Sequence, residues 1–204
     1  MARQGDVIEN PRRNERVRLV ETAVETGGAR LVLAVTAEPT EVGPPMHMHP
    51  GQTETFEIER GRLTYVLGGS KPKTAGAGEV VVVAASVSHT WWNSGPGTLE
   101  MVGRLEPAGR FQTFIETIYG LIRDGKVTSR GIPRPLQMAV IAHEFRNDVV
   151  FAAIPGPARR LLLPLLAAIG RMRGYRPWYP VYSDPEVATG AKLAPTDGTR
   201  SRRR

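Results

Sequence analysis

Three of the four histidines in this chain fall into one arrangement with a glutamate. After His47-Met48-His49, four intervening residues lead to Glu54 and six more to Gly61, and a distant segment supplies His89 with Asn93 shortly beyond it. On a β-strand alternate side chains share a face, so His47 and His49 project together and can chelate one ion. Pro50-Gly51 breaks that strand. Glu54 is therefore free of the histidines' parity, and a return strand can bring its carboxylate back to them. Met46 and Met48 flank His47 and should point away from the metal as packing residues.

Three neutral imidazoles and one carboxylate make a donor set suited to one divalent transition metal, Fe, Mn, Ni, Co or Zn, and not to calcium or a thiophilic ion. With four protein ligands, His47, His49, Glu54 and His89, one or two coordination positions remain for water, substrate or O₂. Glu54 has a second possible use. As a ligand it offsets one charge, and if substrate displaces it, it becomes a base beside a Lewis acid. Phe56 shares the face of Glu54 and is expected as pocket wall. Trp91 and Trp92 alternate in direction, so only one ring can line the pocket beside His89; Trp91 is the candidate and Trp92 the alternative. Asn93 is expected to hold a turn, and His143 to be a helix-face residue.

The pattern Gly43-x₃-His47-x-His49-x₄-Glu54-x₆-Gly61, followed by Gly78-x₁₀-His89-x₃-Asn93, resembles the two signature motifs of the cupin superfamily. The resemblance covers roughly residues 30 to 105. It implies a small antiparallel β-barrel or jelly roll holding one metal through His47, His49, Glu54 and His89. Two departures are visible. The second motif ordinarily reads Pro-x-Gly before its histidine, where this chain has Ala84-Ala85-Ser86, and the step from Gly43 to His47 is shorter than the usual form. Small cupins with the full ligand set look most often like dioxygenases or related oxidoreductases, and less often like isomerases, decarboxylases or cyclases. The leading expectation is accordingly a metal-dependent oxygenase acting on a small, aromatic or enolic molecule. A metal-containing binding protein without turnover, a structural metal in a dimerisation module and a Lewis-acid isomerase, decarboxylase or cyclase stand as alternatives.

The elements that must position these residues are legible in outline. VRLVETAV and ARLVLAVTA around Thr26-Gly27-Gly28 read as a hairpin, and residues 54–58 and 62–67 around Glu59-Arg60-Gly61 as another. Val80 to Val83 is apolar on both faces and reads as a buried strand. Strands continue to Leu105, after which the period changes. Phe111, Phe114, Ile115, Ile118 and Ile122 trace an amphipathic helix ended by Asp124-Gly125; Pro135 starts a second, and a third runs from near Pro157 to Gly174 with Pro164 inside it. The apolar run Leu161 to Ile169 is too short to span a membrane, and its leucines are expected to be buried against the barrel or a second subunit. The expected organisation is a flexible arm over 1–15, the all-β cupin-like core over 16–106, an α-helical extension over 107–182 packed on the barrel or at a homodimer interface, and a basic disordered tail over 183–204.

With 204 residues and no cysteine, the chain can bury a core but has neither a disulfide framework nor a thiolate site. Six of its seven net positive charges lie in residues 1–18 and 191–204. A nearly neutral body argues against nucleic acid as a partner, and the small-molecule partner is what the open metal site and the resemblance imply. The N-terminus lacks the apolar run of a signal peptide, so the expected location is cytoplasmic.

Overall fold

The structure, a computed structural model, describes residues 1–152 and 155–183. The strands form two antiparallel sheets that face each other as a jelly roll, not one closed hydrogen-bonded ring. The six-stranded sheet runs β1 (Val7–Asn10), β2 (Glu15–Glu21), β3 (Leu31–Ala37), β10 (Leu99–Glu106), β5 (Thr53–Arg60) and β8 (Val80–Val83). The five-stranded sheet runs β11 (Val150–Phe151), β4 (His47–Met48), β9 (His89–Asn93), β6 (Arg62–Leu67) and β7 (Lys73–Gly76). Alternation along β5 buries Glu54, Phe56 and Ile58 on one face, and β9 buries His89, Trp91 and Asn93 in the same way.

Between the sheets Leu19, Leu31, Leu33, Ile58, Leu63, Val83, Leu99 and Met101 form one core, which continues into α1 (Phe111–Arg123) through Phe111, Phe114, Tyr119 and Leu121. Burying such a side chain stabilises by roughly 1.5–3 kcal/mol. That fastens α1 to the sandwich. The helix stops as its sequence requires: Gly125, at φ 67°, takes the left-handed position, and the amides of Gly125 and Lys126 return to the carbonyls of Ile122 and Leu121.

Several expectations are corrected. Residues 1–15 are not a flexible arm, because Val7–Asn10 pairs with Arg18 back to Glu15. Asn10 accepts from the amide of Arg12 at 3.1 Å and Asn14 adopts φ 46°, a conformation asparagine tolerates, so a hairpin forms from polar residues. β5 and β6 do not pair as a hairpin; Gly61, at φ 86°, carries the chain from one sheet to the other, and a Cβ there would stand 2.6 Å from the Thr98 carbonyl oxygen. β8 is an edge strand with one face outside, which leaves Val80 and Val82 exposed while Val81 and Val83 are buried.

The second helix, α2 (Pro135–Glu144), begins on its proline, and α3 (Gly156–Met172) packs against it. The contact uses small residues. Gly170 lies so close to α2 that a Cβ would meet Val140 Cγ2 at 2.6 Å, Leu163 clusters with Ala139 and Ala142, and Ala167, one turn along the same face, is fully buried. With that face turned inward, Leu161, Leu162, Leu165 and Leu166 point outward and are not buried on the barrel. Among the described residues no helix is long and apolar enough to cross a membrane. From residue 184 onward the expected basic tail lies outside the described residues.

Candidate metal centre

The ligand candidates come from both sheets. His47 on β4 stands directly opposite His89 on β9, so two residues 42 positions apart in the chain are cross-strand neighbours with ring centroids 4.3 Å apart. His49 follows just past β4. Glu54 faces them from β5 in the opposing sheet. All four are buried, and one donor atom from each lies within 4.8 Å of the others.

The imidazoles are oriented from behind. Nδ1 of His47 lies 2.8 Å from the Pro45 carbonyl, Nδ1 of His49 is 2.7 Å from that of Asp148, and Nδ1 of His89 is 3.2 Å from that of Val87. A carbonyl can only accept, so each Nδ1 carries the proton and a neutral ring presents its Nε2 lone pair inward. Nε2 of His89 is then 2.7 Å, and Nε2 of His49 3.5 Å, from Glu54 Oε2. Both nitrogens and that oxygen are buried without a hydrogen-bond partner. Acceptors converging on acceptors are relieved by a cation, and the donor set fits a divalent transition metal.

Without a metal, a proton serves the same need. Burial lowers the affinity of His49 for a proton, but hydrogen bonding and charge attraction from Glu54 outweigh it, so its pKa is raised. Burial would push Glu54 up, yet the adjacent His49 and His89, donating to Oε2 when a proton sits on Nε2, hold its carboxyl well below the usual range. His47 is lowered to about 3, chiefly by burial and then by the nearby His89.

Phe56 is buried with its ring 6.4 Å from His89, and Trp91 is buried 6.1 Å from Phe56, whereas Trp92 is only half-buried. Met46 and Met48 are half-buried, with the parity opposite to His47. Asn93 holds a turn: its amide donates to the Ala37 and Gly97 carbonyls at 2.8 and 2.9 Å, and its Oδ1 accepts from the Gly95 amide. His143 lies on α2, outside the four-residue cluster.

Residues of the helical extension reach the site without having been anticipated there. Phe111 packs edge-on against His49 at 5.1 Å, and β11 pairs with β4, placing Phe151 opposite His47. Asp148 also accepts the Arg110 amide through its carboxylate at 2.7 Å, and Gln52 donates to the Pro107 and Ala108 carbonyls. Phe111 was visible as part of a helical stripe. The Asp148 contribution is a main-chain carbonyl, which leaves no trace in residue type.

Residues 33–103 match the family described as "Cupin domain". The chain carries a cupin domain. All four clustered residues fall inside the matched segment. A curated relative, "Probable oxidoreductase virH" of Hypocrea virens, is 26% identical over 155 residues, which cover 69% of this chain and 68% of that protein. Similar solved structures include an uncharacterized conserved protein with a double-stranded beta-helix domain from Klebsiella pneumoniae (23% identity, 53% of this chain and 83% of that one, TM-score 0.39). Another is the nucleoside dehydratase Pac13 of Streptomyces (17% identity, 52% and 78% covered, TM-score 0.41).

Proposed function

We propose that this cupin domain binds one divalent transition metal through His47, His49, Glu54 and His89 and oxidises a small, largely apolar organic molecule with O₂. The observation that carries the reading is the convergence of one donor atom from each of three histidines and a carboxylate within 4.8 Å in a buried site, with each Nδ1 engaged by a main-chain carbonyl. When bound, the metal supplies a Lewis-acidic and redox-capable centre with coordination positions beyond the four protein ligands.

The other roles belong to the chain. Phe56, Trp91 and Phe111 wall the site with apolar rings, which excludes water and favours an aromatic or enolic substrate over a highly charged one. Glu54 is held ionised, so on release toward a substrate its carboxylate can take up a proton at Oε2. The relative named as an oxidoreductase supports redox chemistry over simple binding.

The test is a screen of the metal-loaded protein against candidate aromatic and enolic substrates with an oxygen electrode. Consumption of O₂ that matches product formation, and its loss in His47→Ala, is the expected result. Product formation unchanged under anaerobic conditions would move the assignment to a Lewis-acid isomerase, decarboxylase or cyclase. Tight ligand binding with no product would favour a binding protein.

A further inference from the structure

Among the described residues, nothing covers the outer apolar face of α3, and the charges that the helix itself carries are all positive. Because Leu163, Ala167 and Gly170 dock on α2, the opposite side presents Leu161 at 76% exposure, Leu165 at 57% and Met172 at 81%, with Leu162 and Leu166 beside them. At about 100° per residue these side chains form one continuous stripe. Arginines border it on both edges and at both ends: Arg160 and Arg171 on one side, Arg159 and Arg173 on the other, with Arg171 held by Glu144 of α2 at 3.1 Å. From Gly156 to Ser183 the sequence contains five arginines and neither aspartate nor glutamate.

Charge decides what can cover such a face. In a symmetric pair of α3 helices, Arg159 and Arg160 would meet Arg171 and Arg173 if antiparallel, and their own copies if parallel. Neither arrangement supplies a carboxylate from α3 itself, and Glu144 of α2, which lies 3.1 Å from Arg171, is already shared with Arg110. A surface combining acyl chains with negative headgroups satisfies the leucines and the arginines together, and the long arginine side chains can reach outward to the headgroups while their stems stay apolar. With 17 residues, α3 would lie in the interface and not cross it.

We propose that α3 docks this protein onto an anionic phospholipid surface, with Leu161, Leu162, Leu165, Leu166 and Met172 entering the acyl boundary and Arg159, Arg160 and Arg173 contacting headgroups. This places the domain where a sparingly soluble small molecule would be concentrated, though the docking itself does not depend on the reaction proposed above.

The experiment is co-sedimentation of the full chain with phosphatidylcholine–phosphatidylglycerol vesicles and with pure phosphatidylcholine vesicles. Alongside it is run the variant Leu161→Gln/Leu165→Gln, with far-UV circular dichroism and sedimentation velocity measured on both proteins. The changed leucines are exposed, so the variant should keep its fold. The expected result is retention on the mixed vesicles, little on the neutral ones, and a loss of roughly tenfold or more in partitioning for the variant. A wild-type chain that stays in the supernatant overturns the proposal, as does equal retention on both vesicle types. A variant that binds as well as wild type assigns retention to the basic residues of 191–204 and overturns it too. A dimer that the double substitution converts to monomer assigns the face to a second copy.

Discussion

The His49 ring donates from Nδ1 to the main-chain carbonyl of Asp148 at 2.7 Å, across 99 residues of sequence. One candidate metal ligand is thus oriented by a segment that follows the second helix of the extension. Together with the β4–β11 pairing and the packing of Phe111 on His49, this makes the extension part of the site's support.

A chain ending at Pro107 should therefore lose more than an appendage. It would expose the core surface now covered by Phe111, Phe114, Tyr119 and Leu121, at roughly 1.5–3 kcal/mol each. Such a fragment should aggregate or unfold, and any soluble fraction should bind metal more weakly than the full chain. Solubility, circular dichroism and metal titration check this; a soluble 1–107 fragment of undiminished stability and affinity would count against it.

Ser86 occupies the place where the family's second motif ordinarily has glycine, and it adopts φ 64°. Its amide donates to the His49 carbonyl at 2.8 Å, so the turn before β9 keeps the left-handed geometry and the contact to the ligand strand despite the substitution. A non-glycine residue in that region costs about 1–2 kcal/mol. Ser86→Gly should raise unfolding stability by about 0.5–1 kcal/mol, after loss of the exposed hydroxyl's bond to the Pro50 carbonyl, and leave metal affinity unchanged. Chemical denaturation decides it, and a destabilised Ser86→Gly would contradict the account of the turn.

What was legible in the sequence followed from side-chain periodicity. The HxH pair shares a face because strand parity is strict, and α1 and the start of α2 announce themselves through a 3.6-residue stripe and Pro135. Less was legible where the same local pattern serves two topologies. Gly61 could close a hairpin or cross between sheets, and only the pairing of β5 with β10 and β8 decides. Val80 and Val82 have the composition of a buried strand but lie on an edge, and the polar VIEN segment gave little sign of pairing. The leucines of α3 signalled burial, yet the helix docks through its small residues because only those let it approach α2 closely.

Metal affinity should depend on pH through His49. Its pKa is raised, net of burial, by Glu54, whereas Glu54 is already ionised at neutral pH and His47, lowered to about 3, is neutral throughout the useful range. Metal must displace the His49 proton, so apparent affinity should be level above the raised pKa and fall by about tenfold per pH unit below it. The metal-free fold has the opposite sign for this group: the His49–Glu54 pairing contributes fully below the ordinary histidine value and is lost as pH rises through the raised one. Calorimetric titration in buffers of different ionisation enthalpy should detect proton release in the affected window. Affinity that strengthens on acidification would be incompatible with this ligand set.

The most direct measurement is the metal content of the purified chain after loading and desalting, by elemental analysis, for wild type, His49→Ala and His89→Ala. The account predicts about one divalent transition-metal ion per wild-type chain, with imidazole nitrogens near ~2.1 Å in X-ray absorption, and loss of most of that ion in each variant while circular dichroism stays the same. Full retention of metal in both variants, or a wild-type chain that takes up none of Fe, Mn, Ni, Co or Zn, would contradict it.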